Sequence, residues 1–171
     1  RGPGGEIGKL RAALQAILRA SSVVVNGSYA YISAGRLNCT GSALEVFGIS
    51  TPTSPTNVAS KTFTGTTRGQ MAFGNNTIYI AGGDVVSFDV TDPANPGNPT
   101  YVVVDDITRG ATVSGSYLYV ADDDDSVDIY SVSTPTSPSL VSEGLANTDD
   151  VVVSGGKVYT VGGSGNELRF A

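Results

Sequence analysis

The chain has 171 residues, of which 40% are hydrophobic and only 15% charged, and its net charge is −6. That length holds one ordinary domain with a real core, and the acidic balance argues against binding a nucleic-acid backbone, which needs basic patches. With no histidine, the chain lacks the usual neutral-pH acid–base group, most zinc sites and any Ser-His-Asp arrangement. Glycine is abundant at 22 residues, and Val, Thr, Ser and Tyr fill much of the remainder, which are residues of strands and tight turns. The one cysteine, Cys39, permits no intrachain disulfide and reads as a buried thiol. No apolar run approaches the roughly 20 residues of a membrane span. The chain opens on Arg1 rather than Met, which suggests processing or a longer parent polypeptide.

Arg1-Gly2-Pro3-Gly4-Gly5 is a flexible lead-in. From Glu6 to Ala20 the composition turns to Ala, Leu and Arg, without proline, and predicts a helix. Ile7, Leu10, Leu14 and Ile17 fall at steps of 3, 4 and 3, the a and d positions of two heptads. Glu6 and Arg19 lie at the ends where the helix dipole favours an anion and a cation. Such a helix either self-associates or docks, with a trimer seam as one form, or lies on its own β-domain. The narrow seam, broadened only by Ala12, Ala13 and Ala16, favours association.

From Ser21 the helical period vanishes and a longer repeat takes over. A tyrosine recurs as Tyr31, Tyr79, Tyr119 and Tyr159, spaced 48, 40 and 40 residues apart. A second aromatic recurs as Phe47, Phe88, Tyr130 and Phe170, and paired prolines as Pro52/Pro55, Pro93/Pro96 and Pro135/Pro138. Each copy parses as strand, Gly- or Asn-bearing turn, strand, polar loop, strand, Pro-rich corner and a weaker fourth strand. The predicted fold is all-β, with β-propeller-type blades of four antiparallel strands, about 3.5 to 4 repeats of ~41 residues, behind a short N-terminal α-helix. The predicted division is 1–20 for lead and helix and 21–171 for the repeats, with copies at 21–67, 68–108, 109–149 and an incomplete 150–171. The prolines fix φ and lack N–H donors, so they stop the third strand and force a stiff turn into the outer one.

At Val85-Val86-Ser87-Phe88-Asp89-Val90-Thr91-Asp92-Pro93-Ala94-Asn95-Pro96, preceded by Gly74 to Gly82, the chain resembles the LVIVD-type propeller repeat of bacterial and archaeal surface and secreted proteins. The resemblance covers 21–171 and departs from the pattern twice: copy one carries an insertion, Gly35 to Gly41, and copy four stops at Ala171 before its prolines. It implies a propeller fold and an extracellular setting, and it says little about chemistry. Three full copies and part of a fourth are few for a propeller. A fragment of a longer array, or an assembly of several chains, is favoured over an isolated closed ring, because an unfinished blade edge invites pairing.

Four candidate features remain. The run Asp122-Asp123-Asp124-Asp125 could offer oxygen ligands to Ca²⁺, but its spacing matches no calcium loop, and a solvated acidic loop is the favoured reading. Arg68, Arg109, Asp149 and Asp150 precede first strands, where a propeller has its channel mouth; they form either a polar ligand site or, as favoured, a ring of inter-blade ion pairs. The Tyr31, Tyr79, Tyr119 and Tyr159 series reads as inter-blade packing before a sugar-stacking platform. Asn26, Asn38 and Asn75 open N-x-[ST] sequons, which matter only in a glycosylating export pathway. No cofactor is required beyond that weak calcium option. The expected function is a non-enzymatic extracellular structural or adhesive module at a cell or virion surface. Its expected partners are copies of itself, other surface or virion proteins and glycans, with no nucleic acid. A virion fibre or decoration protein and a small-ligand-binding propeller are the alternatives.

Overall fold

The computed structural model describes residues 18–36, 41–66, 69–102, 104, 107–122, 126–144, 148–162 and 167–170. They form four antiparallel sheets. Sheet one contains β1 (Leu18–Asn26), β2 (Tyr29–Arg36), β3 (Ser42–Gly48) and β4 (Thr56–Phe63). Sheet two contains β5 (Met71–Gly74), β6 (Thr77–Ile80), β7 (Val85–Asp89) and β8 (Thr100–Val102). Sheet three contains β9 (Thr108–Ser114), β10 (Tyr117–Asp122), β11 (Val127–Ser131) and β12 (Ser139–Glu143). Sheet four contains β13 (Asp150–Ser154), β14 (Lys157–Gly162) and β15 (Glu167–Phe170). Within each sheet the strands lie in chain order, and the first strands β1, β5, β9 and β13 pack side by side in series.

The predicted helix does not reach Ala20. Leu18, Arg19 and Ala20 open β1, paired with Arg36, Gly35 and Ala34 of β2. The ladder outweighs a helix propensity worth only tenths of a kcal/mol per residue. A register shift between Ala20 and Ser22 marks where the helix-like composition gives way to the β-branched run. Residues 6–17 of the predicted helix, with Ile7, Leu10, Leu14 and Ile17, lie outside the described residues, as does Cys39. Gly35 and Arg36, read from sequence as the start of an insertion, extend β2 instead.

Hairpin turns follow their residues. Gly27 and Gly115 take φ of 56° and 59° at the first turn position, as a type II′ turn asks. Sheet two has no glycine there; Asn75 and Asn76 adopt φ of 52° and 55° themselves, asparagine being the non-glycine residue that tolerates this region best. The corners are β-turns with proline second: the N–H of Ser54, Asn95 and Ser137 donates to the carbonyl of Thr51, Asp92 and Thr134 at 2.9, 3.0 and 2.9 Å. The Thr91 N–H, 2.8 Å from Asp89 Oδ1, holds the Asp89 carboxyl below the usual carboxylate range as its chain enters the corner.

The core lies between sheets, because the side chains of a middle strand alternate between two neighbours. In β6, wholly buried, Ile78 and Ile80 join Tyr31, Leu44 and Val46 of sheet one, whereas Tyr79 joins Leu118, Val120 and Tyr130 of sheet three. Such a strand therefore reads as an unbroken apolar run. Between sheets three and four, Ala121 and Val127 meet Val151. The fourth strand of sheet three, β12, is exposed along its whole length, and β1 at the start of the array is mostly exposed too.

Candidate functional site

The starts of β9 and β13 lie together, so residues 40 positions apart become neighbours. Arg109 Nε is 3.6 Å from Asp149 Oδ1, with both side chains about half exposed (49% and 62%). A pair that open is worth ~0–1 kcal/mol. Asp150 faces the other way: Gln70 Nε2 donates to its Oδ2 at 2.9 Å and the Val151 N–H to its Oδ1 at 2.8 Å. The Gln70 backbone N–H donates to the Arg109 carbonyl at 2.7 Å, tying sheet two to sheet three. Gly110 makes room for Asp150, since a Cβ on it would lie 2.7 Å from Asp150 Oδ1 and 2.9 Å from Asp150 Cα. The structure thus brings Arg109, Asp149 and Asp150 together as an inter-sheet polar rim and adds Gln70; Arg68 lies outside the described residues. Gln70 was legible in principle, because it precedes Met71 as Asp150 precedes Val151.

Two buried threonines went unnoticed in the sequence. Thr108 Oγ1 accepts from the Gly82 N–H at 2.7 Å and donates to the Gly83 carbonyl at 2.8 Å. Thr148, at the same step one copy later, donates from Oγ1 to the Ser126 carbonyl. Each hydroxyl fastens the start of one sheet to the loop between the second and third strands of the sheet before it. Thr108→Val, which keeps the shape and removes the hydroxyl, is expected to cost about 1–3 kcal/mol by stranding the Gly82 N–H. Thr108→Ser should recover most of that in urea denaturation, and equal losses in both variants would refute the clasp.

Asp122 is buried, and its carboxylate accepts from the Ser126 N–H and hydroxyl at 3.1 Å, closing the loop between β10 and β11. It is a loop clamp rather than a solvated group; Asp123, Asp124 and Asp125 lie outside the described residues. Nearby, the buried Tyr130 hydroxyl donates to Asp128 Oδ2 at 3.0 Å, and burial followed by the Asp128 charge pushes its phenol well above the usual tyrosine range. Among the described residues, no group of three or more His, Cys, Asp or Glu is placed to hold a metal, and every buried side-chain polar atom has a hydrogen-bond partner. No helix among them is long and apolar enough to cross a membrane, which says nothing of a β-barrel.

Tyr31, Tyr79 and Tyr119 pack between sheets, whereas Tyr159 lines an open recess on sheet four. Tyr31 stacks on Phe73 with centroids 6.2 Å apart, and the Tyr79 hydroxyl crosses to the Pro135 carbonyl at 3.0 Å. Tyr119 lies against the cluster joining sheets three and four.

Comparison with known proteins agrees with this architecture. BamB from Moraxella catarrhalis is similar at 18% identity and TM-score 0.60, over 82% of this chain and 39% of that one. The computationally designed proteins Ika4 (8% identity, TM-score 0.64, 90% of each chain) and Ika8 (9% identity, TM-score 0.62, 88% of this chain and 45% of that one) are similar too. These identities show the fold alone, which is β-propeller-like, and the chain spans well under half of BamB. No curated protein matches the sequence. The LVIVD repeat family model matches residues 19–62 and 107–144, copies one and three of the array. Copy two lies outside those matches, yet its sheet has the same strand order. The chain is thus an array of propeller-like sheets whose residues 19–62 and 107–144 match the LVIVD repeat.

Proposed function

We propose that the chain is a non-enzymatic, extracellular structural and adhesive module that assembles with other copies and presents its loops and corners to surfaces or glycans. The observation that carries this reading is where the polar chemistry goes. Thr108, Thr148, Asp122, Asp150 and Gln70 all fasten one segment to another, and Arg109 pairs with Asp149 across a junction. What the corners and outer strands offer outward is mostly uncharged Ser, Thr and Asn, with Asp92 and Glu143 as exposed carboxylates among them. A surface poor in charge and rich in hydroxyls suits life outside the cell, as does the repeat family. The channel-mouth ligand reading draws less support, because its described members already bond to one another. A place on a virion, as fibre head or decoration protein, would use the same outward surfaces.

A glycan array probed with the intact, folded chain tests the adhesive part. Binding to a restricted set of glycans is expected. A blank array from protein with native circular dichroism removes glycan contact and leaves a purely structural role.

A further inference from the structure

We propose that the two end faces of the array, on sheets one and four, bind each other between two copies of the chain and close a two-fold ring. The inference rests on a ladder of equivalent positions. The first core residue of the inner strand is Val23 in sheet one, Met71 in sheet two, Ala111 in sheet three and Val151 in sheet four. Met71, Ala111 and Val151 are 6%, 5% and 3% exposed, because a preceding sheet covers them, whereas Val23 is 60% exposed. Two residues after each repeat tyrosine the pattern reverses. Ser33, Ala81 and Ala121 are all 0% exposed under the following sheet, whereas Val161 is 42% exposed. Val152 is likewise 55% exposed, although its equivalent in sheet two, Ala72, is 5% exposed. Val152 and Val161 also line a shallow recess of about 60 Å³ with Tyr159.

The uncovered side of sheet one is therefore the repeat surface that sheets two to four bury against a predecessor. The uncovered side of sheet four is the one that sheets one to three bury against a successor. They are the two halves of an interface the chain already makes three times, so the matching partner is a sheet of this same repeat. Among the described residues no sheet supplies it, since Val23 and Val161 are 60% and 42% exposed. The same arrangement of sheets fits 45% of Ika8 at a TM-score of 0.62, so it is compatible with being half of a chain about twice as long. Two copies joined head to tail at both ends satisfy every end face and stop there, as closed symmetry requires.

This deepens the assembly part of the reading above and is independent of glycan binding. Sedimentation of the full chain is expected to give about twice the chain mass of 17.4 kDa. Val23→Asp or Val161→Asp alone should weaken dimerisation at least tenfold while leaving circular dichroism unchanged, since both side chains are exposed in the single chain. In a Cys39→Ser background, Val23→Cys with Val161→Cys should yield disulfide-linked dimers on oxidation. A cross-linked species of single-chain mass would overturn the proposal in favour of a self-closed ring. A monomer in the unmodified chain would also overturn it. So would a dimer that survives Val23→Asp and Val161→Asp but is lost in Leu10→Asp with Leu14→Asp, since that outcome places the seam in residues 6–17.

Discussion

Replacing Tyr79 with Ala is expected to lower the free energy of unfolding by about 3–5 kcal/mol. Tyr79 is 0% exposed and fills the interface between sheets two and three, where Leu118, Val120 and Tyr130 meet it. Tyr79→Phe keeps the ring and removes only the hydroxyl that reaches Pro135, so it should cost about 1 kcal/mol. The pair separates packing from hydrogen bonding in one urea series. Alkali supplies a second readout. Burial pushes the Tyr79 phenol up to about 12, against an ordinary value near 10. Between those values the folded state keeps a proton that the unfolded state has lost, so stability is complete below about pH 10 and declines as pH rises towards 12. Tyr79→Phe should soften that decline. Tyr31 and Tyr130, also raised, would keep part of it. An unaltered alkaline limb in Tyr79→Phe would count against the assignment.

Phe88→Ala should cost a similar ~3–5 kcal/mol, but at a different junction. Phe88 is 0% exposed and meets Phe63 edge to face, with centroids 5.6 Å apart, joining sheet two to the outer strand of sheet one. In an array whose units touch only their neighbours, damage is felt mainly at the junction where it occurs. Amide exchange in Phe88→Ala is therefore expected to speed up across β1–β4 while β9–β11 keep their protection. Tyr79→Ala should loosen the junction between β6 and β10 instead. Uniform acceleration in both variants would show one cooperative block rather than coupled sheets.

The strands and their order were legible because recurrence needs no knowledge of contacts. Tyr31, Tyr79, Tyr119 and Tyr159 mark second strands, and the proline pairs mark corners, from spacing alone. The end of the predicted helix was not legible. Arg19 and Ala20 favour helix locally, and only pairing with Gly35 and Ala34 makes them strand. At the rim, Arg109 and Asp149 could be named because they stand at the same step of their copies, although Arg109 lies inside β9 and Asp149 just before β13. Their pairing, and the approach of Gln70 to Asp150, depend on how closely successive sheets stack, which Gly110 permits and no spacing reveals. Thr108 and Thr148 escaped notice for a plainer reason: in a chain so rich in threonine, two at an equal step carry no mark of being buried.

The exposure ladder also bears on how such arrays arise in genomes. Because every junction uses the same pair of repeat surfaces, a duplication or deletion of one repeat unit in the gene changes the sheet number by one and leaves the surviving junctions intact. For the ring proposed above, fusing two copies of this repeat segment in frame would put both halves on one polypeptide. Its seam would reuse the pair of repeat surfaces that already meet at the junctions between sheets one, two, three and four.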